Sequence, residues 1–322
     1  MNSTEAEQGS QKTIAITTTS FAKWDETPLR LLAQAGLAVR RNLHGRKLTA
    51  EEAREMLAGC VGVIAGTEPL TAQVLGALPG LRAISRLGVG LDNVDLEAAA
   101  RLGIRVDIAP EGLANAVAEL TLGVLLDLLR HISRMDRELR AGIWTKRTGG
   151  LLRGRRVGLV GYGRIGRATA HLLAAFEAEV AYADPCVAPE PDGPRRMTLE
   201  ELLPWAEVVS LHCPGQANGG ALLGAEALGC MRPGALLINC ARGGLVDEQA
   251  LAQALEQGHL AGAALDGFAV EPYAGPLQGF ENVVLTPHVG SYAREARVRM
   301  ELQAAQNLLL ALGLDACGGA SD

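Results

Sequence analysis

Gly161-Tyr162-Gly163-Arg164-Ile165-Gly166 stands between an apolar run, Arg155-Arg156-Val157-Gly158-Leu159-Val160, and a stretch of helical spacing, Ile165-Gly166-Arg167-Ala168-Thr169-Ala170-His171-Leu172-Leu173. A G-x-G-x-x-G run alone recurs by chance; between a buried strand and a helix it dictates local structure. The first glycine permits a tight turn, the second lets another molecule approach the backbone, and the third lets helix pack close to strand. The helix then opens with N–H groups and the positive end of its dipole facing any anion placed there.

Asp184 follows Gly166 after 17 intervening residues, at the end of a second apolar run, Glu179-Val180-Ala181-Tyr182-Ala183. An acid at that spacing accepts hydrogen bonds from ribose hydroxyls and repels a 2′-phosphate, so the expected cofactor is NAD rather than NADP. The plainer alternative is a glycine turn followed by an ordinary strand-end Asp. Arg242, Glu271 and His288 lie downstream in segments that read as strand ends. They would face a nicotinamide cofactor with a cation and an acid/base pair.

With 322 residues, the chain is long enough for two domains with separate cores. Its 48% apolar and 20% charged composition is that of a soluble globular protein. A net charge of −6 and only 3% aromatic residues argue against nucleic acid as a partner. The arginines at 153, 155, 156, 164 and 167 read either as a phosphate-attracting cluster or as a solvated surface. Residues 1–11 carry no apolar h-region, so no leader is expected. The longest apolar stretch, Ala114 to Leu129, contains Glu119 and Asp127 and is too short to span a bilayer. The expectation is a cytoplasmic protein without a membrane partner. Six cysteines show no metal-ligand spacing and are expected to be reduced thiols, mostly buried, with neither disulfide nor metal.

Short apolar runs alternate with amphipathic stretches through the chain. Thr13–Thr17, Cys60–Ala65, Leu81–Arg86 and Ile104–Ile108 read as strands. Pro28–Ala35, Thr49–Ala58, Thr71–Leu78 and Asp95–Leu102 read as helices, the second opened by a Thr49/Glu52 capping box. After Gly154 the pattern resumes, with strands near 156–160, 179–183, 207–212, 235–240, 261–265 and 282–286, and a last helix from Tyr292 to Leu312. The expected fold class is α/β, with two doubly wound parallel-sheet domains: a Rossmann NAD-binding domain and a flavodoxin-like substrate domain, with the active site in the cleft between them. The expected boundaries are 113–291 for the NAD-binding domain and 1–112 plus 292–322 for a discontinuous substrate domain.

The chain resembles the D-isomer-specific 2-hydroxyacid dehydrogenase family across most of its length. The matching segments are Gly88-Val89-Gly90-Leu91-Asp92-Asn93-Val94-Asp95, Val117-Ala118-Glu119-Leu120-Thr121, the glycine motif with Asp184, Leu211-His212-Cys213-Pro214, Asn239 through Asp247, Leu265-Asp266 through Glu271-Pro272, and Thr286-Pro287-His288-Val289-Gly290. Asn239-Cys240-Ala241-Arg242-Gly243-Gly244 and Arg86-Leu87-Gly88-Val89-Gly90 look most like the 3-phosphoglycerate dehydrogenase branch, in a short form without an added C-terminal regulatory domain.

The resemblance implies that Arg242 grips a substrate carboxylate, that His288 exchanges a proton with the C2 oxygen, and that Glu271 hydrogen-bonds the histidine. A guanidinium fork matches a carboxylate bidentately, imidazole titrates near working pH, and a carboxylate neighbour stabilises imidazolium. Read singly, His288 could equally be a packed strand-end histidine, Glu271 a loop acid and Arg242 a turn residue. The resemblance also implies a cofactor bed of Gly161, Gly163, Arg164, Ile165, Gly166, Asp184, Pro214, Cys240, Asp266 and Gly290. Arg86 with the amides of Leu87, Gly88 and Val89 would form a substrate loop, although Gly88 and Gly90 would also suit a plain turn. For Ala114–Leu129 it implies a helix at a homodimer interface, whereas hydrophobicity alone equally allows a core helix.

Three places depart from the family pattern: Gly215-Gln216-Ala217-Asn218-Gly219-Gly220 after Pro214, Gly267 after Asp266, and Ala109-Pro110-Glu111. The expected activity is therefore that of an NAD-dependent D-2-hydroxyacid dehydrogenase or 2-oxoacid reductase, with the substrate open between 3-phosphoglycerate and an unphosphorylated acid. The alternatives are an NAD(H)-sensing, corepressor-like binding protein and, among enzymes, a phosphite-oxidising relative.

Overall fold

The structure, a computed structural model, describes residues 11–215 and 219–314. The expectations for residues 1–10, for positions 216–218 and for Cys317 lie outside the described residues. Chain contacts divide the protein into two compact units, Met1–Gly112 with Arg294–Asp322, and Leu113–Ala293.

The first unit runs β1 (Thr13–Ile16), α1 (Thr27–Gln34), β2 (Ala38–Arg41), α2 (Ala50–Leu57), β3 (Gly62–Ala65), α3 (Ala72–Gly76), β4 (Ala83–Arg86), α4 (Leu96–Arg101) and β5 (Arg105–Ile108). Helix starts follow side-chain chemistry: Thr49, Thr71 and Asp95 each accept a backbone N–H of the opening turn, and Thr49 with Glu52 closes the expected capping box. Such a cap is worth about 1 kcal/mol.

The second unit runs α5 (Leu113–Arg130), α6 (Ile132–Arg140), β6 (Arg156–Val160), α7 (Arg164–Ala175), β7 (Glu179–Ala183), β8 (Arg195–Arg196), α8 (Leu199–Trp205), β9 (Val208–Leu211), α9 (Ala225–Cys230), β10 (Ala235–Asn239), α10 (Glu248–Glu256), β11 (Leu260–Leu265) and β12 (Val283–Leu285). The last helix, α11 (Arg294–Ala311), belongs to the first unit and packs on β3, β4, β5 and α1. A buried ion pair fixes it there: Arg297 donates to Ser20 Oγ and to Glu301, whose other oxygen accepts the Ala22 N–H at 2.9 Å.

Both sheets are parallel throughout. The first has the order β2-β1-β3-β4-β5 and the second β12-β11-β10-β9-β6-β7-β8. These are the flavodoxin-like and Rossmann orders, as expected from the alternation of strands and helices. Nearly continuous burial of the central strands β3, β4, β9 and β10 explains why they read as unbroken apolar runs. In the second sheet the order reverses between β6 and β9, the place where open α/β sheets bind ligands beyond the strands' carboxyl ends.

The thiols differ from expectation. Among the described residues Cys60 and Cys240 are buried and Cys213 is half-buried, while Cys186 and Cys230 are exposed. Cys186 sits in the loop after β7 and Cys230 ends the short helix α9, so neither has a strand or long helix face to bury it. The arginine group is a paired surface: Arg153 bonds Glu177, Arg155 and Arg156 lie against Glu207, and Arg167 bonds Glu190.

Candidate active site

Every loop that leaves the carboxyl end of β6, β7, β9, β10, β11 and β12 carries a residue singled out by the sequence. After β6, Gly161 has φ of +96°, and a Cβ there would lie 2.6 Å from Cys213 N and 2.7 Å from the His212 carbonyl carbon. Gly166 has the same need for a different reason, since its Cβ would lie 2.3 Å from Gly161 O. Around Gly163 nothing stands within 4 Å of an added Cβ. Packing inside the protein therefore demands the first and third glycines, whereas the second leaves an open approach to the loop. Gly163 is the N-cap of α7, so the N–H groups of Arg164, Ile165 and Gly166 open the helix without intrahelical partners.

Asp184, just past β7, organises the same loop. Its Oδ2 accepts the Tyr162 N–H at 2.8 Å, and its Oδ1 accepts from Cys186 N at 2.8 Å and Val187 N at 3.2 Å. Tyr162 is itself held by stacking on Tyr182 with ring centroids 4.1 Å apart. After β9, His212 Nε2 lies 2.9 Å from Ser210 Oγ, and burial pulls its pKa down to about 4, so this imidazole is neutral and no rival to His288 at working pH. Pro214 follows in an exposed position.

The loop after β10 is shaped by Asn239, which is fully buried. Its Nδ2 donates to Arg242 O at 2.8 Å and its Oδ1 accepts from Ala241 N at 3.1 Å, so one amide folds the turn that presents Arg242. Burial pushes the Cys240 thiol up to about 12, so it is an apolar lining group and not a nucleophile. Gly243 packs against the next loop so closely that a Cβ would lie 1.8 Å from the Phe268 carbonyl carbon.

Beyond β11 and β12 lie the two groups whose geometry is most specific. His288 Nδ1 is 2.9 Å from Glu271 Oε1 and 3.1 Å from Oε2. Glu271 Oε1 also accepts the Phe268 N–H at 3.1 Å, which aims the carboxylate. The imidazole side chain is 43% exposed and the carboxylate 37%, so the pair is open to a reactant. The hydrogen bond that His288 donates to Glu271 raises the His288 pKa; burial works against it, the charges of Glu271 and Asp266 add to the rise, and the charge of Arg242 opposes it. Two of the sequence-selected residues, Arg242 and Glu271, thus act electrostatically on the third, His288. With Nδ1 engaged, Nε2 is the nitrogen left for proton exchange.

Asp266, expected to touch a cofactor, is 2% exposed and already accepts from Thr286 Oγ1, Val289 N and Gly290 N. Thr286 and Asn239 belonged to the matching segments without a role; the signal for each is its place at or just past a strand end in a Thr-Pro-His or Asn-Cys-Ala-Arg run. Arg86, Leu87, Gly88 and Val89 lie in the first unit at the carboxyl end of β4, where Gly88 has φ of +137° and Arg86 and Leu87 are largely buried.

The family model described as D-isomer specific 2-hydroxyacid dehydrogenase, NAD binding domain, matches residues 122–290. The chain is 43% identical over 247 residues to the D-3-phosphoglycerate dehydrogenase of Mycobacterium leprae, covering 75% of this chain and 47% of that protein. It is 41% identical over 261 residues to the glyoxylate reductase of Thermofilum pendens, covering 76% of each. Among solved structures, the TT0316 protein from Thermus thermophilus superposes with a TM-score of 0.85 at 40% identity, covering 93% of this chain and 96% of that one. The parallel sheet with its glycine loop is that of an NAD-binding domain, and the protein belongs to the D-isomer-specific 2-hydroxyacid dehydrogenase family. It spans about half the length of the phosphoglycerate dehydrogenase that it matches.

Proposed function

We propose that this protein is an NAD-dependent dehydrogenase of small D-2-hydroxy acids, working equally as a 2-oxoacid reductase. The observation that carries this reading is the 2.9 Å bond from His288 Nδ1 to Glu271, formed in the same unit as Arg242 and the glycine loop. The unit Leu113–Ala293 carries the glycine loop together with Arg242, Glu271 and His288. NAD fits the open face at Gly163, the first-turn amides of α7 and the acid at Asp184. When bound, it supplies a hydride acceptor for C2 of the hydroxy acid, or in its reduced form a donor to the oxo acid.

The protein's residues do the rest. Arg242 binds and orients the carboxylate with its planar fork. As the C2 hydride leaves, His288 Nε2 takes the hydroxyl proton and the C2–O bond becomes a carbonyl; in reduction the imidazolium returns that proton to the oxygen. Glu271 holds the ring and stabilises its charged form. Asp266, Gly290, Pro214 and Cys240 line the cofactor bed.

An unphosphorylated 2-oxo acid is favoured over 3-phosphohydroxypyruvate. What favours it is the relative matched along most of its length, the glyoxylate reductase of Thermofilum pendens, covered to 76%, against 47% for the phosphoglycerate dehydrogenase of Mycobacterium leprae. The protein acts as a cytoplasmic homodimer, with the apolar surface of Ile132, Leu139, Ile143, Trp144 and Leu151 covered by the second copy. Purified protein should oxidise NADH when given an unphosphorylated 2-oxo acid. Absence of turnover with every such acid, while NADH binds, would replace this reading with the sensor.

A further inference from the structure

Asp266 is placed in the cofactor bed by family resemblance, yet its hydrogen bonds run to the loop that carries the acid/base histidine. Oδ1 accepts the Thr286 hydroxyl at 2.6 Å and the Val289 N–H at 2.7 Å, and Oδ2 accepts the Gly290 N–H at 2.8 Å. One buried carboxylate therefore grips the chain on both sides of His288. Thr286 is anchored to the strand below through its N–H to Leu265 O at 3.0 Å, and Asp266 through its N–H to Asn239 O at 2.9 Å.

Between those grips the chain makes a tight turn. His288 N donates to Thr286 O at 2.9 Å, and His288 has φ of +55°, a left-handed conformation that a residue with a Cβ keeps only when its surroundings enforce it. The fit is close on the far side too, where a Cβ at Gly290 would lie 3.1 Å from Asp266 Oδ2. Strain at the histidine and three donors on one carboxylate are two views of the same arrangement.

We propose that Thr286 and Asp266 form a clamp that positions His288, so that both are positioning residues for the proton transfer and Thr286 sets the histidine without being required for NAD binding. The clamp rests on the dehydrogenase reading for its effect on rate, but not for its effect on the histidine itself. It has an electrostatic side. The charged groups facing the imidazole are Glu271, Asp266 and Arg242, of which the two acids favour the protonated ring and the arginine disfavours it. An amide at position 266 would remove one of those charges and turn its nitrogen toward a backbone N–H, leaving two donors face to face.

The test uses Thr286→Val, Thr286→Ser and Asp266→Asn in the full chain, with steady-state kinetics, NADH titration and NMR of 13C-labelled histidine, the His288 signal being assigned with His288→Gln. Thr286→Val should lower kcat by at least about tenfold with NADH affinity held within about twofold, since a displaced acid/base group costs rate and not ground-state cofactor binding. Thr286→Ser, which restores the hydroxyl, should recover most of the loss. The His288 signal should shift in Thr286→Val, and its titration should move to lower pH in Asp266→Asn. Wild-type kcat in Thr286→Val together with an unmoved His288 signal would overturn the clamp, as would a loss in Thr286→Val that Thr286→Ser does not repair. If the wild type turns over no 2-oxo acid, the dehydrogenase reading fails on its own; the NMR still decides the clamp, which is overturned if the His288 titration in Asp266→Asn matches the wild type.

Discussion

Gly243→Ala should damage the active site without touching a catalytic residue. An alanine Cβ at this position would lie 1.8 Å from the Phe268 carbonyl carbon and 2.3 Å from both Ala269 N and Phe268 Cα, against an ordinary contact limit of 3.4 Å. All of these atoms are backbone, so no rotamer relieves the clash; the loops after β10 and β11 must separate by about 1.6 Å, the difference between 3.4 and 1.8 Å. Phe268 cannot move alone. Its N–H holds Glu271 at 3.1 Å and its ring stacks on Tyr273 at 4.2 Å, so its displacement is passed to the carboxylate that orients His288. Overpacking of this kind costs about 1–3 kcal/mol of stability. For a unit of this size that is a fall in Tm of about 2–4 °C per kcal/mol. A shift near 1 Å at a catalytic pair costs on the order of 100-fold in kcat/KM. Steady-state assay with NADH and a 2-oxo acid, with a parallel thermal melt, measures both. Gly244→Ala is the control, because nothing lies within 4 Å of its Cβ. A Gly243→Ala variant with the activity and Tm of Gly244→Ala would refute the reasoning.

Glu271→Gln should move the pH dependence in one direction. Glu271 raises the His288 pKa, so its loss lowers it; reduction needs the imidazolium, and its rate falls as pH rises through that pKa. The descending limb of kcat/KM for oxo-acid reduction should therefore shift to lower pH, and a shift to higher pH would contradict His288 as the proton donor. Asp184→Ala should weaken NADH binding about tenfold or more, from loss of a charged acceptor, and weaken NADPH binding less; fluorescence titration of both cofactors checks it, and equal losses would remove Asp184 from the ribose. Trp144→Glu, at a side chain 79% exposed, should convert a dimer to a monomer in sedimentation experiments. A wild-type monomer at micromolar concentration would refute the dimer.

Much of this architecture was legible because buried parallel strands leave a plain mark. β6, β7 and β9 to β12 read as apolar runs at the right intervals, and their alternation with helices implies the parallel, doubly wound sheet that the strand order shows. The elements that escaped notice lack that mark: β2 ends in exposed Arg40 and Arg41, β8 is a two-residue edge strand of exposed arginines, and α6 buries no residue. For α5, hydrophobicity alone allowed either an interface or a core helix. The structure buries nine of its side chains, among them Val117, Leu125 and Leu128, with α7, β10, β11 and β12 as its packing partners, so a core face is accounted for within its own unit.

In the site, residue types with plain chemistry stood out, as Arg242, Glu271 and His288 do. The shaping roles did not: Asp266 is legible only as a cofactor-bed residue, and Asn239 and Thr286 act through bonds to Arg242 O and to the Asp266 carboxylate that only the folded chain brings together. Gly163 is a different case: its openness shows that the motif's second glycine is not a packing requirement.

The most direct measurement is NADH oxidation by the purified protein with glyoxylate, hydroxypyruvate, pyruvate and 3-phosphohydroxypyruvate, repeated with His288→Ala. The expected result is steady turnover favouring an unphosphorylated acid, reduced by about 10²–10⁴ in the variant, as loss of a positioned acid/base requires. NADH binding without turnover of any acid, or a His288→Ala variant as active as the wild type, would contradict the dehydrogenase chemistry assigned to this site.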